Sequence, residues 1–223
     1  MPGGHPKAWP EIKSIFQTIA AKAPDGQPCC DWVGEDGAGQ YVKMVHNGIE
    51  YCDMQMISEV YHILKEGLGI NDDEMADIFD GWNKEELDSF LIEITRDVLR
   101  FKDTDGSPLV EKIMDRAGQK GTGKWTAIDS LDRGIPVTLI GEAVYSRCLS
   151  SLKEERTRAS KILKGPTNGD KQNFVKQLGS ALYASKIVSC AQGFMLMRQA
   201  AQDFGWNLNY VGIALMWRGG CII

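Results

Sequence analysis

Apolar residues recur at helical spacing along most of the chain. Residues 8–22 repeat isoleucine and phenylalanine at i, i+3, i+4 and i+7, and a longer pattern runs from residue 39 to about 64. Asn71 and Glu74 form a capping box, which predicts another helix start. Further helices are predicted over residues 85–101, 125–133, 137–163 and 174–204. In the last of these we expect the core residues to be Leu178, Leu182, Ile187, Phe194 and Met197.

One segment near the front is predicted as β-structure. Pro24-Asp25-Gly26 is a turn signal, and Cys29–Val33 then has the apolar character of a short buried strand. Beyond residue 70 strand signals nearly vanish, and turn-rich breaks are predicted at residues 103–108 and 164–169. We therefore predict a mainly α-helical fold that follows one short α/β segment.

One side of the helix that begins near residue 39 carries groups capable of acid–base chemistry. At about 100° per residue, Lys43 and Glu50 lie within roughly 20° of each other and about 10 Å apart along the axis. His46 and Asn47 flank that line at i+3 and i+4. The opposite side is apolar, with Val42, Val45, Ile49 and Cys52. The pattern fits a catalytic face or an ordinary solvated face equally well.

A second unusual segment spans residues 118–125. It holds three glycines and two lysines, Lys120 and Lys124, and is a poor candidate for a helix or a strand. Its backbone N–H groups and Lys120 suit anion binding, although a plain surface turn has the same composition. The spacing does not match that of a phosphate-binding P-loop.

Composition narrows the class of protein. The 223 residues are 43% hydrophobic and 25% charged, as is usual for a soluble globular protein. A formal charge of −5 argues against a nucleic-acid surface. Six cysteines show no metal-type spacing, so we expect thiols in a reducing compartment and no metal site. No signal peptide or run of 18 apolar residues is visible, which favours a cytoplasmic protein without a membrane span.

The two polar segments and their surroundings resemble the 6-phosphogluconate dehydrogenase family. The resemblance covers essentially the whole chain, and its most specific parts are residues 47–51, 82–93, 118–125, 136–142 and 210–221. It implies an all-α catalytic and dimerisation domain over residues 37–223. Residues 1–36 would be the end of a Rossmann-type NADP-binding domain. Only the end is assigned, because the Gly-x-Gly-x-x-Gly fingerprint of such a domain is absent from the sequence.

The resemblance also implies a reaction and the residues that perform it. NADP oxidises 6-phosphogluconate at C3, and carbon dioxide is then lost to give ribulose 5-phosphate. Lys43 would be the general base and Glu50 the acid that protonates C1. The substrate would be bound by His46, Asn47, Tyr51, Lys120, Thr122 and Arg147. Four of these would hold its phosphate: Tyr51, Lys120, Thr122 and Arg147. The family is homodimeric, and its main NADP site lies in the coenzyme domain.

Family members are longer at both ends than this sequence. A serine-glycine-glycine segment and the partner's tail, which also contact substrate in the family, have no counterpart in these residues. We therefore expect a truncated chain that is inactive alone. Two alternatives remain: a non-catalytic helical fragment acting as an interaction surface, and a related β-hydroxyacid dehydrogenase sharing the Gly39, Lys43 and Asn47 spacing.

Overall fold

The computed structural model describes residues 1–163 and 171–223, apart from the side chains of residues 171–173. This part is mainly α-helical, as predicted. Its α-helices, α1 to α9 in chain order, are Trp9–Ile19, Ala38–His62, Asp72–Trp82, Phe90–Arg100, Thr122–Asp132, Thr138–Ser151, Lys153–Ser160, Lys171–Phe204 and Tyr210–Met216. Short 3-10 helices are present at Pro6–Ala8 and Leu109–Lys112, and Ile63–Gly67 is a π-helical turn. The break predicted at 164–169 lies outside the described residues.

The strand predicted at Cys29–Val33 is wrong. Across residues 1–163 and 171–223 the segment pairs with no neighbouring strand, and the bridges close to it are the isolated ones of Lys22 with Pro28 and Gly4 with Glu35. Its backbone groups bond singly: the Val33 N–H donates to the Pro2 carbonyl at 2.8 Å, and the Val33 carbonyl accepts from the Asn209 N–H at 3.0 Å. Val33 is fully buried, so the apolar pattern marked burial and not sheet pairing.

Three helix boundaries differ from the predicted ones. α4 begins at Phe90 and not at residue 85. Leu87, which the helical pattern included, lies in a turn before α4, and its side chain is buried there. The helix predicted over 137–163 is two helices that meet at Leu152, whose backbone is not helical. Ser150 and Ser151 donate to carbonyls three residues back, a contact that competes with the helical ladder. α5 begins at Thr122, so the glycine-lysine segment is partly helical.

Two compact units can be separated in the chain. Unit 1 comprises residues 1–50, 121–141 and 189–223. Its fully buried side chains include Val42, Val45, Ile49, Ile140, Leu196, Met197 and Ile213. Close helix contacts in this unit depend on glycine. A Cβ on Gly193 would lie 2.6 Å from Ile49 Cδ1, so α8 approaches α2 more closely than a side chain allows.

Unit 2 comprises residues 51–120 and 142–188. Its core unites α3, α4 and the neighbouring parts of α2 and α8, through Val60, Leu64, Leu68, Met75, Ala76, Phe79, Leu87, Ile92, Leu99, Leu178 and Leu182. The capping box of α3 is confirmed in both directions, since Asn71 and Glu74 each accept the other's backbone N–H. A buried ion pair joins Asp53 to Lys186 at 2.5 Å, and burial raises the pKa of the Asp53 carboxyl.

The core residues predicted for α8 are only partly confirmed. Leu178, Leu182 and Met197 are buried, and Phe194 is half-buried. Ile187 is 53% exposed, so its assignment to the core is wrong. It follows Leu178 by nine positions, which places it on the opposite side of a helix with 100° per residue.

α1 presents its apolar stripe to solvent. None of its residues is buried, and Ile15 and Ile19 are 61% and 74% exposed. The helix forms from local pattern and from Pro10 in its first turn, but residues 1–163 and 171–223 provide no cover for its apolar side. In these same ranges no helix combines the length and apolar character that a membrane crossing requires.

Candidate functional site

The polar side of α2 is presented in unit 1 as the sequence predicts. Val42, Val45 and Ile49 are fully buried, which turns Lys43 and Glu50 away from the core. Lys43 is exposed and Glu50 is half-buried. Within the described residues these two side chains form no ion pair, although their helix positions share a side. An ion pair would have held both groups charged, so this separation is compatible with acid–base work.

His46 lies deeper than its neighbours and is fully buried. Its Nδ1 atom is 3.3 Å from Lys43 Nζ and 3.3 Å from Asn47 Oδ1. Burial, together with the nearby positive charge of Lys43, lowers the pKa of His46 to about 4. The imidazole is therefore neutral around pH 7, and one of its nitrogens is free to accept a hydrogen bond.

The start of α5 lies against this part of α2. Asn47 Nδ2 donates to Thr122 Oγ1 at 3.4 Å, which joins two predicted substrate-binding residues. Thr126, fully buried, donates to the Met44 carbonyl on α2 at 3.0 Å. A Cβ on Gly48 would lie 3.1 Å from Thr126 Cγ2, so the absence of a side chain there permits the contact.

A cavity of about 730 Å³ opens beside Lys43 in unit 1. Its walls are largely aromatic, formed by Tyr41, Trp125, Phe204 and Trp206, with Thr122 near Lys43. Phe204 and Trp206 stack with ring centroids 4.6 Å apart. Such walls suit a flat ring or the carbon face of a sugar acid. Among the described residues, no three His, Cys, Asp or Glu side chains are grouped as a metal site requires.

Three predicted phosphate-binding residues lie together in unit 2. The guanidinium carbon of Arg147 lies 3.9 Å from the centre of the Tyr51 ring, and Arg147 Nη1 donates to the Gly118 carbonyl at 2.6 Å. The Lys120 backbone N–H donates to the Tyr51 hydroxyl at 3.2 Å. Arg147 is therefore held between an aromatic face and a loop carbonyl, while the Lys120 side chain is exposed.

The loop before α5 has further supports that the sequence did not indicate. Ser150 Oγ on α6 accepts the Ala117 N–H at 2.9 Å. Asp115 binds Arg156 of α7 at 3.0 Å and also pairs with Lys153. These contacts join residues more than thirty positions apart, which local spacing does not reveal. Thr126 was missed for the same reason.

The structure thus places the eight predicted site residues in two sets. Unit 1 holds Lys43, His46, Asn47, Glu50 and Thr122, and unit 2 holds Tyr51, Lys120 and Arg147. In the first set, hydrogen bonds link Lys43, His46, Asn47 and Thr122 in series. In the second, Arg147 and the loop both contact Tyr51.

Comparisons with known proteins agree on one family. The family model described as 6-phosphogluconate dehydrogenase, C-terminal domain, matches residues 39–223. The decarboxylating 6-phosphogluconate dehydrogenase of Cunninghamella elegans is 77% identical over the whole chain, which covers 47% of that relative. The human enzyme of the same name is 68% identical, with the same coverage. The chain therefore spans about half the length of these relatives.

A solved structure gives the same result for the fold. Plasmodium falciparum 6-phosphogluconate dehydrogenase superposes with a TM-score of 0.93 at 43% identity. The match covers all of this chain and 49% of that one. That enzyme was solved in its apo form, with its cofactor NADP+ and with its substrate 6-phosphogluconate.

Proposed function

Because the chain belongs to the 6-phosphogluconate dehydrogenase family, we propose that its residues serve the NADP-dependent oxidative decarboxylation of 6-phosphogluconate to ribulose 5-phosphate. The observation that carries the proposal is the polar side of α2. Lys43, Asn47 and Glu50 project from a helix whose other side is buried, and Lys43 lines a cavity with polar and aromatic walls.

Lys43 is proposed as the general base. It would take the proton of the C3 hydroxyl during oxidation and return a proton to the carbonyl oxygen during decarboxylation. A base needs a neutral amine, yet Lys43 is exposed in unit 1. Bound substrate would have to supply the desolvation that favours the neutral form. Exposure of the free side chain is compatible with this, since catalytic contacts often tighten only in the complex.

Glu50 is proposed as the acid that protonates C1 of the enediol left after decarboxylation. It lies two turns beyond Lys43 on α2 and is half-buried. Asn47, between them in sequence, offers an amide group for the substrate hydroxyls. The predicted substrate-binding residue His46 is fully buried and contacts Lys43 and Asn47, so it would act through these two side chains. Thr122 supplies a further hydroxyl at the start of α5.

The set in unit 2 is proposed to bind the phosphate. Arg147 is oriented by the Tyr51 ring and the Gly118 carbonyl, which leaves guanidinium N–H groups for paired phosphate oxygens. Lys120 adds an exposed point charge. Pre-ordering a guanidinium reduces the conformational entropy lost when an anion binds.

NADP fits these residues only in part. The walls of the unit 1 cavity, Trp125, Phe204 and Trp206, suit a flat ring such as nicotinamide, which would supply the hydride acceptor. The chain has no Gly-x-Gly-x-x-Gly fingerprint for the pyrophosphate. We therefore propose that residues 1–36 and 37–223 fall in different domains, supported by the family match from residue 39, and that the 223 residues alone are inactive. The whole enzyme would be a cytoplasmic homodimer, as the resemblance implies.

A second candidate function is a non-catalytic interaction surface. The exposed apolar stripe of α1 is the observation in its favour. It does not explain the arrangement of Lys43, Asn47 and Thr122, so the enzymatic proposal accounts for more of the structure.

A chimeric enzyme tests the proposed function. The 223 residues would replace the matching segment of the Cunninghamella elegans relative, and NADPH formation from 6-phosphogluconate would be followed by absorbance. We expect an active chimera in which Lys43→Met lowers kcat by roughly 10²–10⁴-fold or more, because a general base acts mainly in the transition state.

Lys124→Met is the matched control, since Lys124 is an exposed lysine on α5 outside the proposed site. It should leave kcat and KM unchanged. An active chimera that tolerates Lys43→Met would remove Lys43 from the mechanism, and an inactive unmodified chimera would count against the function itself.

A further inference from the structure

Two buried ring nitrogens in unit 1 lack hydrogen-bond partners. They are Nε2 of His46 and Nε1 of Trp217, and neither has a partner within residues 1–163 and 171–223. His46 is 0% exposed and Trp217 is 9% exposed. Buried polar atoms normally find partners, so this pair requires a physical account.

The two rings touch each other. Their centroids are 5.4 Å apart and their planes meet at 74°, an edge-to-face arrangement. Trp217 follows the last turn of α9, and its ring also packs against Phe194 of α8 at 5.5 Å. The ring of Trp217 is therefore an aromatic wall beside the buried imidazole.

An aromatic wall distinguishes the two neutral forms of the imidazole. A ring face carries negative charge density, so it attracts an N–H and repels a nitrogen lone pair. An Nε2–H facing such a wall is weakly stabilised, whereas an unprotonated Nε2 is not. The wall therefore favours the proton on Nε2, which leaves the Nδ1 lone pair as the acceptor.

We propose that Trp217 turns its ring face toward Nε2 of His46 and is a positioning residue that holds His46 in its Nε2–H form, so that Nδ1 accepts a hydrogen bond from Lys43. The 3.3 Å contact between Lys43 Nζ and His46 Nδ1 is the geometric basis. The inference rests on the proposed function only for its consequence in catalysis; the protonation state of His46 is a property of the chain itself.

Asn47 competes for the same nitrogen. Its Oδ1 is 3.3 Å from Nδ1 and would favour the opposite form, with a proton on Nδ1. A bond from a charged amine is stronger than one between neutral groups, so the Lys43 contact prevails. The Asn47 amide then turns by half a turn, presenting its NH2 group to Nδ1 and its oxygen to the Thr122 hydroxyl.

The consequence concerns Lys43 as a base. A lysine amine donates an N–H in both its charged and its neutral form. Nδ1 can therefore hold one N–H of Lys43 throughout a proton transfer, and the remaining direction of Nζ stays fixed. The ring of Trp217 packs on His46 and Phe194. It would therefore set the orientation of the Lys43 amine indirectly, through His46.

Nuclear magnetic resonance of the chain with ¹⁵N-labelled histidine tests the proposal. His46 can be assigned by His46→Gln, since His5 and His62 are the only other histidines. We expect a pyrrole-type shift at Nε2 and a pyridine-type shift at Nδ1. Magic-angle spinning of sedimented protein gives the same shifts if the chain associates. A proton on Nδ1 in the unmodified chain would overturn the proposal without any variant.

Two substitutions then separate the aromatic face from the indole N–H. Trp217→Phe keeps a face and should retain the Nε2–H form. Trp217→Leu removes it, so the Nδ1–H form should appear. The charges that also act on this ring, Lys43 and the Met1 amino group, are unchanged in both variants.

Trp206→Leu is the matched control, because Trp206 is an aromatic residue of unit 1 that packs on Tyr41 and Phe204. It should leave the His46 shifts unchanged. A Trp217→Leu chain with unaltered nitrogen shifts, or a Trp217→Phe chain that behaves like Trp217→Leu, would contradict the proposal. An inactive chimera with His46 in the Nε2–H form would instead reject the proposed function and leave this inference standing.

Discussion

At the scale of single residues, Glu50 offers a test that separates two chemical steps. The carboxyl is half-buried on α2 and forms no ion pair with Lys43 in the described structure. In the chimera, Glu50→Gln should lower overall turnover by about 10²–10⁴-fold, because an amide cannot donate the proton that C1 requires. Rapid-quench analysis should show NADPH and carbon dioxide formed ahead of ribulose 5-phosphate, since hydride loss and decarboxylation both precede this step.

Glu59→Gln is the control for that substitution. Glu59 is an exposed carboxylate on the same helix and bonds only to Gln55 among its recorded contacts. Unchanged turnover in Glu50→Gln, with ribulose 5-phosphate formed as fast as carbon dioxide, would assign the acid to another group.

Arg147 tests the phosphate assignment. Its contacts to the Tyr51 ring and the Gly118 carbonyl orient a guanidinium far in sequence from the acid–base residues. Arg147→Ala should raise KM for 6-phosphogluconate at least about tenfold and change kcat much less. A distant phosphate is bound about equally in the ground and transition states, and one charge-assisted bond contributes roughly 1.5–3 kcal/mol.

Arg116→Ala provides the comparison, because Arg116 is an exposed arginine in the loop that carries Gly118. Steady-state kinetics with gluconate, which lacks the phosphate, complete the test. If Arg147→Ala weakens both substrates equally, the residue does not bind phosphate.

At the scale of helices, one buried hydroxyl contributes to the contact of α5 with α2. Thr126 is fully buried, and its hydroxyl lies 2.9 Å from the Thr122 carbonyl of its own helix and 3.0 Å from the Met44 carbonyl next to Lys43. Thr126→Val keeps the shape and removes the donor, so the free energy of unfolding should fall by about 1 kcal/mol. Urea denaturation of the chain measures this, and Thr126→Ser should recover part of the loss.

Ser130→Ala is the matched control, because Ser130 is a buried hydroxyl of α5 that bonds only within its own helix among the recorded contacts. Equal losses at positions 126 and 130 would show that the bond to α2 has no special role.

The helices were predictable where the information is local. α2, the capping box of α3 and most of α8 follow from periodicity and capping residues. Cys29–Val33 was wrongly predicted as a strand, because its backbone bonds singly to Ala21, Pro2 and Asn209 and no local pattern identifies those partners. The polar side of α2 was likewise predictable, but the complete burial of His46 was not, since Trp217 packs on it from 171 positions away.

At the scale of the whole molecule, the chain matches only about half the length of its relatives. We expect the purified 223-residue chain to form no NADPH from 6-phosphogluconate, because hydride transfer needs the nicotinamide within about 3–3.5 Å of C3 and the chain has no dinucleotide fingerprint. NADPH absorbance, followed at substrate concentrations that saturate the chimera, compares the isolated chain with the chimera. NADPH formation by the isolated chain would contradict the division of domains proposed above.

Gly48 has a consequence for how this sequence can vary. A Cβ there would meet Thr126 at 3.1 Å and Ile140 at 3.2 Å, so two helices are sensitive to one position. A lineage that acquires alanine at 48 is expected to retain it only with a smaller residue at 126 or 140. The three positions should therefore change together during evolution. The residues tolerated at position 48 of α2 should depend on those present at 126 and 140.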